Sequence, residues 1–501
     1  MDRPEGVPAM LDAILKAAGS GAVAEAPALL GGVWINEGCT AERIGPYART
    51  VVSRARTASP SEVRTAVQYA HQNARAVGRL APATRAGILE GASRLAAGRR
   101  AEFANLIALE LGKPVRDGLG ELDRVADTFA VCAAEARRIG GDMLPVAGWE
   151  RGVGNTAVTY RAPAGVALAI TPFNAPANLL AHKLGASFAA GNTTIVKAPP
   201  QAPAVTAAVV ALLLAAGAPV EAVQLLHGGG EVGAALCAAP EISVVSFTGS
   251  AVTGAAVARA AGAKRLVLEL GGNAATIVCE DADLGAAARV CARTGYSNSG
   301  QSCISVQRVY VHSSRFDEFV AAFTAEAAAL RVGDPLDPAT DVGTMVDERA
   351  AERVVAWAAA AVAGGAVITL GGTRDGATVA PTVVAGPRED ADVVTREVFG
   401  ALVSVLPYDS FDAVLAACNT SRYGLQAGLF TRDIGRILTA WRELEVGGLI
   451  VNGSSNFRLD HVPFGGVKDS GFGRESPRHM VDEYTVVKTL LLRGLSVWGD
   501  Q

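Results

Sequence analysis

A chain of 501 residues, half of them hydrophobic and only 19% charged, is too long for one ordinary core and suits two or three packed units. Its formal net charge of −4, with no run of like charges, excludes a basic stripe for nucleic acid. The seven cysteines are odd in number, scattered and free of any C-x-x-C pair, which excludes a zinc ribbon and makes a reducing cytoplasm the expected compartment.

Residues 1–24 mix Arg3 and Lys16 with Asp2, Glu5 and Asp12 and have no basic start followed by an apolar core, so no secretory signal is read. Residues 1–30 are expected to form a helical leader. Between Gly165 and Gly272, β-rich runs alternate with alanine-rich runs of helix length. The runs 166–171, 193–197, 223–227, 242–248 and 265–270 predict five strands of a parallel sheet covered on both faces. Residues 198–220 carry no charge and are long enough to span a bilayer. Pro199, Pro200 and Pro203 open this stretch and Gly217 and Pro219 close it, so a buried helix is expected and no membrane association. After Glu269 the spacing predicts a helix over 281–294, a strand over 307–312, helices over 314–330 and 347–364, a strand over 366–370 and alternation to about 451. The tail 484–493 is β-prone and suited to adding a strand to another subunit.

Ligands of such a sheet sit beyond the carboxyl ends of its strands, and the candidate residues lie there. Gly228 to Gly233 satisfy G-x-G-x-x-G, but after the third strand of the series, so a phosphate cradle and a tight strand-to-helix turn both stand. Phe247-Thr248-Gly249-Ser250 opens a helix and offers an anion site or merely an N-cap. Glu269 ends an apolar strand beside glycines, as a general base or a solvated strand end. Asn174, in Thr171-Pro172-Phe173-Asn174, can donate to an oxyanion or form a turn. Lys197 can hold ribose or phosphate. Cys303 lies in the Gly300-Gln301-Ser302-Cys303 loop as a nucleophile or a small buried hydrophobe. No G-x-S-x-G elbow, H-E-x-x-H or phosphate-binding G-x-x-x-x-G-K-[ST] occurs, and no metal is expected.

Taken in order with Glu397-Val398-Phe399-Gly400, these motifs resemble the NAD(P)-dependent aldehyde dehydrogenase superfamily over roughly 32–493. The resemblance implies an α/β fold with a Rossmann-like parallel-sheet cofactor domain (31–268, carrying an oligomerisation hairpin near 141–161), an α/β catalytic domain (269–451), a return to the first domain (452–483) and a small β oligomerisation element with the tail (484–501). It implies that Cys303 attacks an aldehyde, that Asn174 and the Cys303 N–H stabilise the oxyanion, and that Glu269 activates water; Lys197 completes the expected catalytic set. NAD or NADP is the implied cofactor, held by Thr171, Pro172, Phe173, Lys197, Pro199, Pro200, Gly230, Phe247, Thr248, Gly249, Ser250, Leu270, Gly271, Glu397 and Phe399. Pro200 stands where NAD-preferring relatives often carry a glutamate, which leaves NADP open. The stretch 456–468 resembles the branch acting on lactaldehyde, phosphorylated glyceraldehyde and phosphonate- or sulfonate-bearing aldehydes. Substrate contacts are therefore expected from Arg458, His461 and Arg124, with a structural ion pair to Asp460 or a neighbour as the alternative for Arg458. A homodimer or homotetramer is implied. A CoA-acylating relative and a silent scaffold are the competing readings; the presence of Glu269, Cys303 and Asn174 favours hydrolysis.

Overall fold

The computed structural model describes residues 7–497; the ends of the expected leader (1–6) and tail (498–501) lie outside the described residues. The five expected strands form as Val166–Ile170, Thr193–Lys197, Val223–Leu226, Ile242–Thr248 and Arg265–Glu269. They pair in parallel within an eight-stranded sheet whose antiparallel edges are Ala28–Leu30 with Val33–Ile35 on one side and Gly471–Phe472 on the other. Alternation of side chains splits each strand between two cores: Ala167 and Ala169 join the helices of one face, Val166, Leu168 and Ile170 those of the other. Alanine and glycine keep those helices close to the sheet. Helix Pro176–Ala190 is buried along its whole length, and Pro203–Ala215 is the buried helix expected within 198–220. Pro199 and Pro200 keep the preceding turn out of the helix. Among the described residues no helix is long and apolar enough to cross a membrane.

The order of the parallel strands fixes the ligand site. The chain runs outward from Val166–Ile170 through the next two strands, then returns to lay Ile242–Thr248 on the opposite side of the first. The helices therefore diverge at the ends of these two strands, leaving a crevice between them.

A seven-stranded sheet follows, parallel except for its edge strand Val367–Leu370, with Ala275–Val278 at its heart between Arg308–His312 and Gln426–Phe430. Helix Leu284–Tyr296 begins three residues later than expected because Asp283 caps it, accepting the Ala286 N–H at 3.0 Å. Thr156–Pro163 pairs over eight residues with Thr485–Leu492, and Met143–Leu144 adds a third strand, leaving Val487, Leu490 and Leu491 exposed. Among the leader's described residues Val7–Ser20 is helical, ended by Gly21 in the left-handed region; Leu11, Ile14 and Leu15 are buried in the core that helix Pro203–Ala215 also enters.

Candidate active site

A cavity of about 780 Å³ opens at the crevice between the two strand ends. Thr171, Pro172, Phe173 and Asn174 line it from the first strand, Phe247, Thr248, Gly249 and Ser250 from the fourth, and Lys197, Pro199 and Pro200 from the second. Gly230, Leu270 and Gly271 complete that wall, while Cys303, Glu397 and Phe399 close it from the other sheet. Glu269 sits just behind, 3% exposed, with neither carboxyl oxygen hydrogen-bonded.

Backbone strain presents the cysteine. After helix Leu284–Tyr296 the chain passes through Asn298 (φ +49°), Ser299 (φ +55°) and Gly300 (φ +71°), a left-handed run that only glycine, and less readily asparagine, adopts at low cost. Gly300 must lack a Cβ because the Gly400 carbonyl occupies its place. Asn174 Nδ2 donates to the Gln301 carbonyl at 3.0 Å, which sets an amide donor against the Cys303 loop. Gly272 packs on the Cys303 carbonyl, and its N–H donates to Glu397 Oε1 at 2.9 Å. Phe173 and Phe399 meet edge to face at 5.9 Å between centroids.

Burial dominates the electrostatics. The Cys303 thiol is pushed up to about 12 by burial first and then by Glu397 and Glu269. Glu269 is raised well above the carboxylate range by burial and by the Glu475 anion. Glu397 is raised to about 7 by burial, against the Gly272 N–H and the Arg353 charge. Burial lowers Lys197 to about 8. A carboxyl that burial makes hold its proton more tightly thus lies near a thiol raised in the same direction.

The remaining expected residues lie off the cavity wall. Arg124 makes a two-pronged pair with Asp460 at 2.9 and 2.7 Å. Arg458 donates to Glu475 Oε1 at 2.9 Å and stacks on the Phe464 ring at 4.1 Å, while Lys183 Nζ takes the other Glu475 oxygen at 3.0 Å. His461 is exposed. Arg353 and Gln307 are among the residues at the site that escaped the sequence reading. Arg353 lines the cavity, donates to the Val398 carbonyl at 2.8 Å and stacks on Trp357, a pairing signalled only by their i, i+4 spacing. Gln307 ties two loops together, donating to the Gly272 carbonyl at 3.0 Å and accepting the Val398 N–H at 2.7 Å, and it has no local signal.

The cavity suits a dinucleotide. Its volume lies within the range of ligand clefts, Thr248 Oγ1 is buried in its wall without a partner, and the N-terminus of helix Ala251–Ala261 opens at Ser250. Gly228 to Gly233 form the tight turn from the third strand into helix Gly230–Ala238, and Gly229, Gly230 and Gly233 line the cavity.

Known proteins agree with this geometry. The aldehyde dehydrogenase family model matches residues 34–490. A 3-sulfolactaldehyde dehydrogenase of Priestia aryabhattai is 40% identical over 462 residues, spanning 92% of this chain and 96% of that one. Among solved structures, aldehyde dehydrogenase 21 of Physcomitrella patens, in complex with the reaction product succinate, superposes with a TM-score of 0.91 at 31% identity, covering 94% of this chain and 99% of that chain. The glyceraldehyde-3-phosphate dehydrogenase GapN of Methanocaldococcus jannaschii, complexed with NADP, gives 0.87 at 32% identity, covering 90% and 98%. The chain belongs to the aldehyde dehydrogenase family and oxidises an aldehyde with NAD or NADP.

Proposed function

We propose that this dehydrogenase converts a small hydroxylated or anionic aldehyde to its carboxylate through a thioester on Cys303. The observation that carries the reading is the meeting of the cavity-lining Cys303, the Asn174 amide on the neighbouring carbonyl, and a buried Glu269 with no hydrogen-bond partner, close enough to raise the thiol. The Cys303 sulfur, once deprotonated, bonds to the aldehyde carbon, and the carbonyl oxygen becomes an oxyanion that accepts from Asn174 Nδ2 and the Cys303 N–H. NAD or NADP, which the residues lining the cavity would hold, would supply the hydride acceptor that the oxidation to a thioester requires. Glu269 then takes a proton from water, the resulting hydroxide attacks the acyl carbon, and the C–S bond breaks to release the carboxylate. A CoA-acylating enzyme would have no use for Glu269 in that role.

Arg124 and Arg458, with the exposed His461, are the groups proposed to meet the hydroxylated or anionic end of the substrate. The similarity to a sulfolactaldehyde dehydrogenase supports this. With Pro199, Pro200 and Gln201 after Lys197, no carboxylate follows that strand end to repel a 2′-phosphate, which supports use of both NAD and NADP. A roughly hundredfold NAD preference in kcat/KM, about 2.7 kcal/mol, would remove that part. The same reading takes the eight-stranded sheet as the cofactor domain, the seven-stranded sheet as the catalytic domain, the exposed strand Thr485–Leu492 as the contact of a homodimer or homotetramer, and the cytoplasm as the setting that keeps Cys303 reduced.

The test follows reduced nicotinamide by absorbance with lactaldehyde, glyceraldehyde 3-phosphate, sulfolactaldehyde and phosphonoacetaldehyde. Cys303→Ala is expected to form none. Glu269→Gln is expected to form one equivalent in a burst and then stall at the thioester. Sustained turnover in Cys303→Ala would end the proposal, and an undiminished steady state in Glu269→Gln would end the water-activating role.

A further inference from the structure

Helix Val115–Arg138 presents Asp117, Glu121, Arg124 and Thr128 at steps of four, three and four, which is one face of a helix. Asp117 and Glu121 reach two different parts of the site. Asp117 Oδ2 accepts the Asn298 N–H at 2.8 Å and the Ser297 hydroxyl at 3.1 Å, gripping the strained loop that leads to Cys303. Glu121 Oε1 accepts the N–H groups of Ala177 and Asn178 at 2.8 and 3.1 Å, at the start of the helix that follows Asn174. Its other oxygen holds Lys113 Nζ at 2.6 Å, and Lys113 donates onward to the Asn174 carbonyl at 3.3 Å. Asn298 Nδ2 donates to the same carbonyl at 3.1 Å. The bonds close a ring: Asp117, Asn298, the Asn174 peptide, Lys113, Glu121, and back through one turn of helix.

We infer that Asp117 and the Lys113–Glu121 pair are positioning residues that set the oxyanion donor Asn174 against the Cys303 loop; this rests on the roles proposed above for those two residues. Lys113 and Glu121 are 7% and 3% exposed. A buried ion pair yields little net stability, so stability alone is a weak reason for one here. Position is a stronger one. The ring fixes the Asn174 peptide from one side through Lys113 and from the other through Asn298, and the peptide fixes where the amide points. A misplacement of about 1 Å in such a site costs on the order of a hundredfold in rate.

The experiment measures the burst rate of reduced nicotinamide, which reports acylation, together with the KM for the cofactor. Asn174→Ala is expected to lose about a hundredfold, as for one oxyanion donor. Lys113→Met is expected to lose about tenfold with cofactor KM within about twofold, because it shifts the donor without removing it. The double variant is expected to lose no more than Asn174→Ala alone, since Lys113 acts through Asn174. Asp117→Ala, less buried and the safer fold, should repeat the pattern and be rescued by Asp117→Asn, which keeps an acceptor oxygen. Asp123→Ala, on the outer face of the same helix, should change nothing. Losses that multiply to about a thousandfold, or an unaltered burst in both Lys113→Met and Asp117→Ala, would overturn the inference while leaving Asn174 in its role. A wild-type burst in Asn174→Ala would bring down the oxyanion assignment and the inference with it.

Discussion

The two ends of the active site are built on opposite principles. The dinucleotide end is made of strand-end turns, glycines and hydroxyls, with Lys197 and Arg353 as its cations and Glu397 as its anion. Behind Cys303, in contrast, Lys183, Arg458, Arg124, His182, Asp460, Glu475 and Glu269 crowd together from segments as much as 336 residues apart. Within that crowd two carboxyls share the same depth and shift in opposite directions. Burial would raise Glu475, but Lys183 and Arg458 overcome it and hold the group at about 2. Glu269 has no hydrogen-bond partner, and burial together with the Glu475 anion raises it well above the carboxylate range. Burial alone does not decide a carboxyl's charge; the supply of donors does, and withholding them from Glu269 makes it hold a proton more tightly.

Replacing Glu475 is the harshest test of that contrast. Glu475→Gln strands the fully buried Lys183 and the nearly buried Arg458, and is expected to cost about 3–5 kcal/mol in denaturant unfolding. It also removes the anion that raises Glu269. The acid limb of turnover, set by the proton that Glu269 must lose, should therefore move to lower pH. A destabilised variant with an unmoved limb would mean that the two carboxyls do not sense each other.

The sequence made one end far more legible than the other, for a physical reason. Runs such as Val166-Ala167-Leu168-Ala169-Ile170 announce buried parallel strands by local composition, and the turns that follow them carry the residues proposed for the cofactor, which line the cavity. Glu269 was visible because it ends such a strand. Glu475 and Lys183 were not, because an ion pair between positions 292 apart has no local signature. For Arg458 the sequence offered Asp460 by name, which lies at 3.7 Å, but gave no sign of Glu475, 17 residues on, at 2.9 Å. The left-handed Asn298 and Ser299 were equally silent: Asn298 is held by Asp117 and the Asn174 carbonyl, which come from distant parts of the chain.

At the dinucleotide end the single carboxylate gives a smaller effect. Glu397 titrates near 7 in the fold against an ordinary 4.5, so the native state binds its proton more tightly than the unfolded chain does. Its contribution favours the fold below about 4.5 and is lost as pH rises through 7, a swing of about 3 kcal/mol. Glu397→Gln carries no charge at any pH. Without cofactor, its unfolding free energy should fall less than that of wild type between about pH 5 and pH 8. Superimposable pH profiles would mean that Arg353 and the Gly272 N–H keep Glu397 ionised in the fold.

Ser250 gives the smallest effect and separates capping from binding. Its hydroxyl accepts the Thr253 N–H at 3.2 Å, and the residue stands on the cavity wall. Ser250→Ala should cost about 1 kcal/mol of stability as a lost N-cap. Ser59 caps helix Pro60–Gly78 outside the cavity lining, so Ser59→Ala should carry a similar cost. If the N-terminus of helix Ala251–Ala261 faces a phosphate of the cofactor, fraying it weakens an anion site as well as a helix. Cofactor KM should then rise severalfold in Ser250→Ala and stay put in Ser59→Ala. Equal cofactor affinity in the two variants would reduce Ser250 to a cap and shift the phosphate contact to the N–H groups and the unpartnered Thr248 hydroxyl, where Thr248→Val would be the variant to lose affinity.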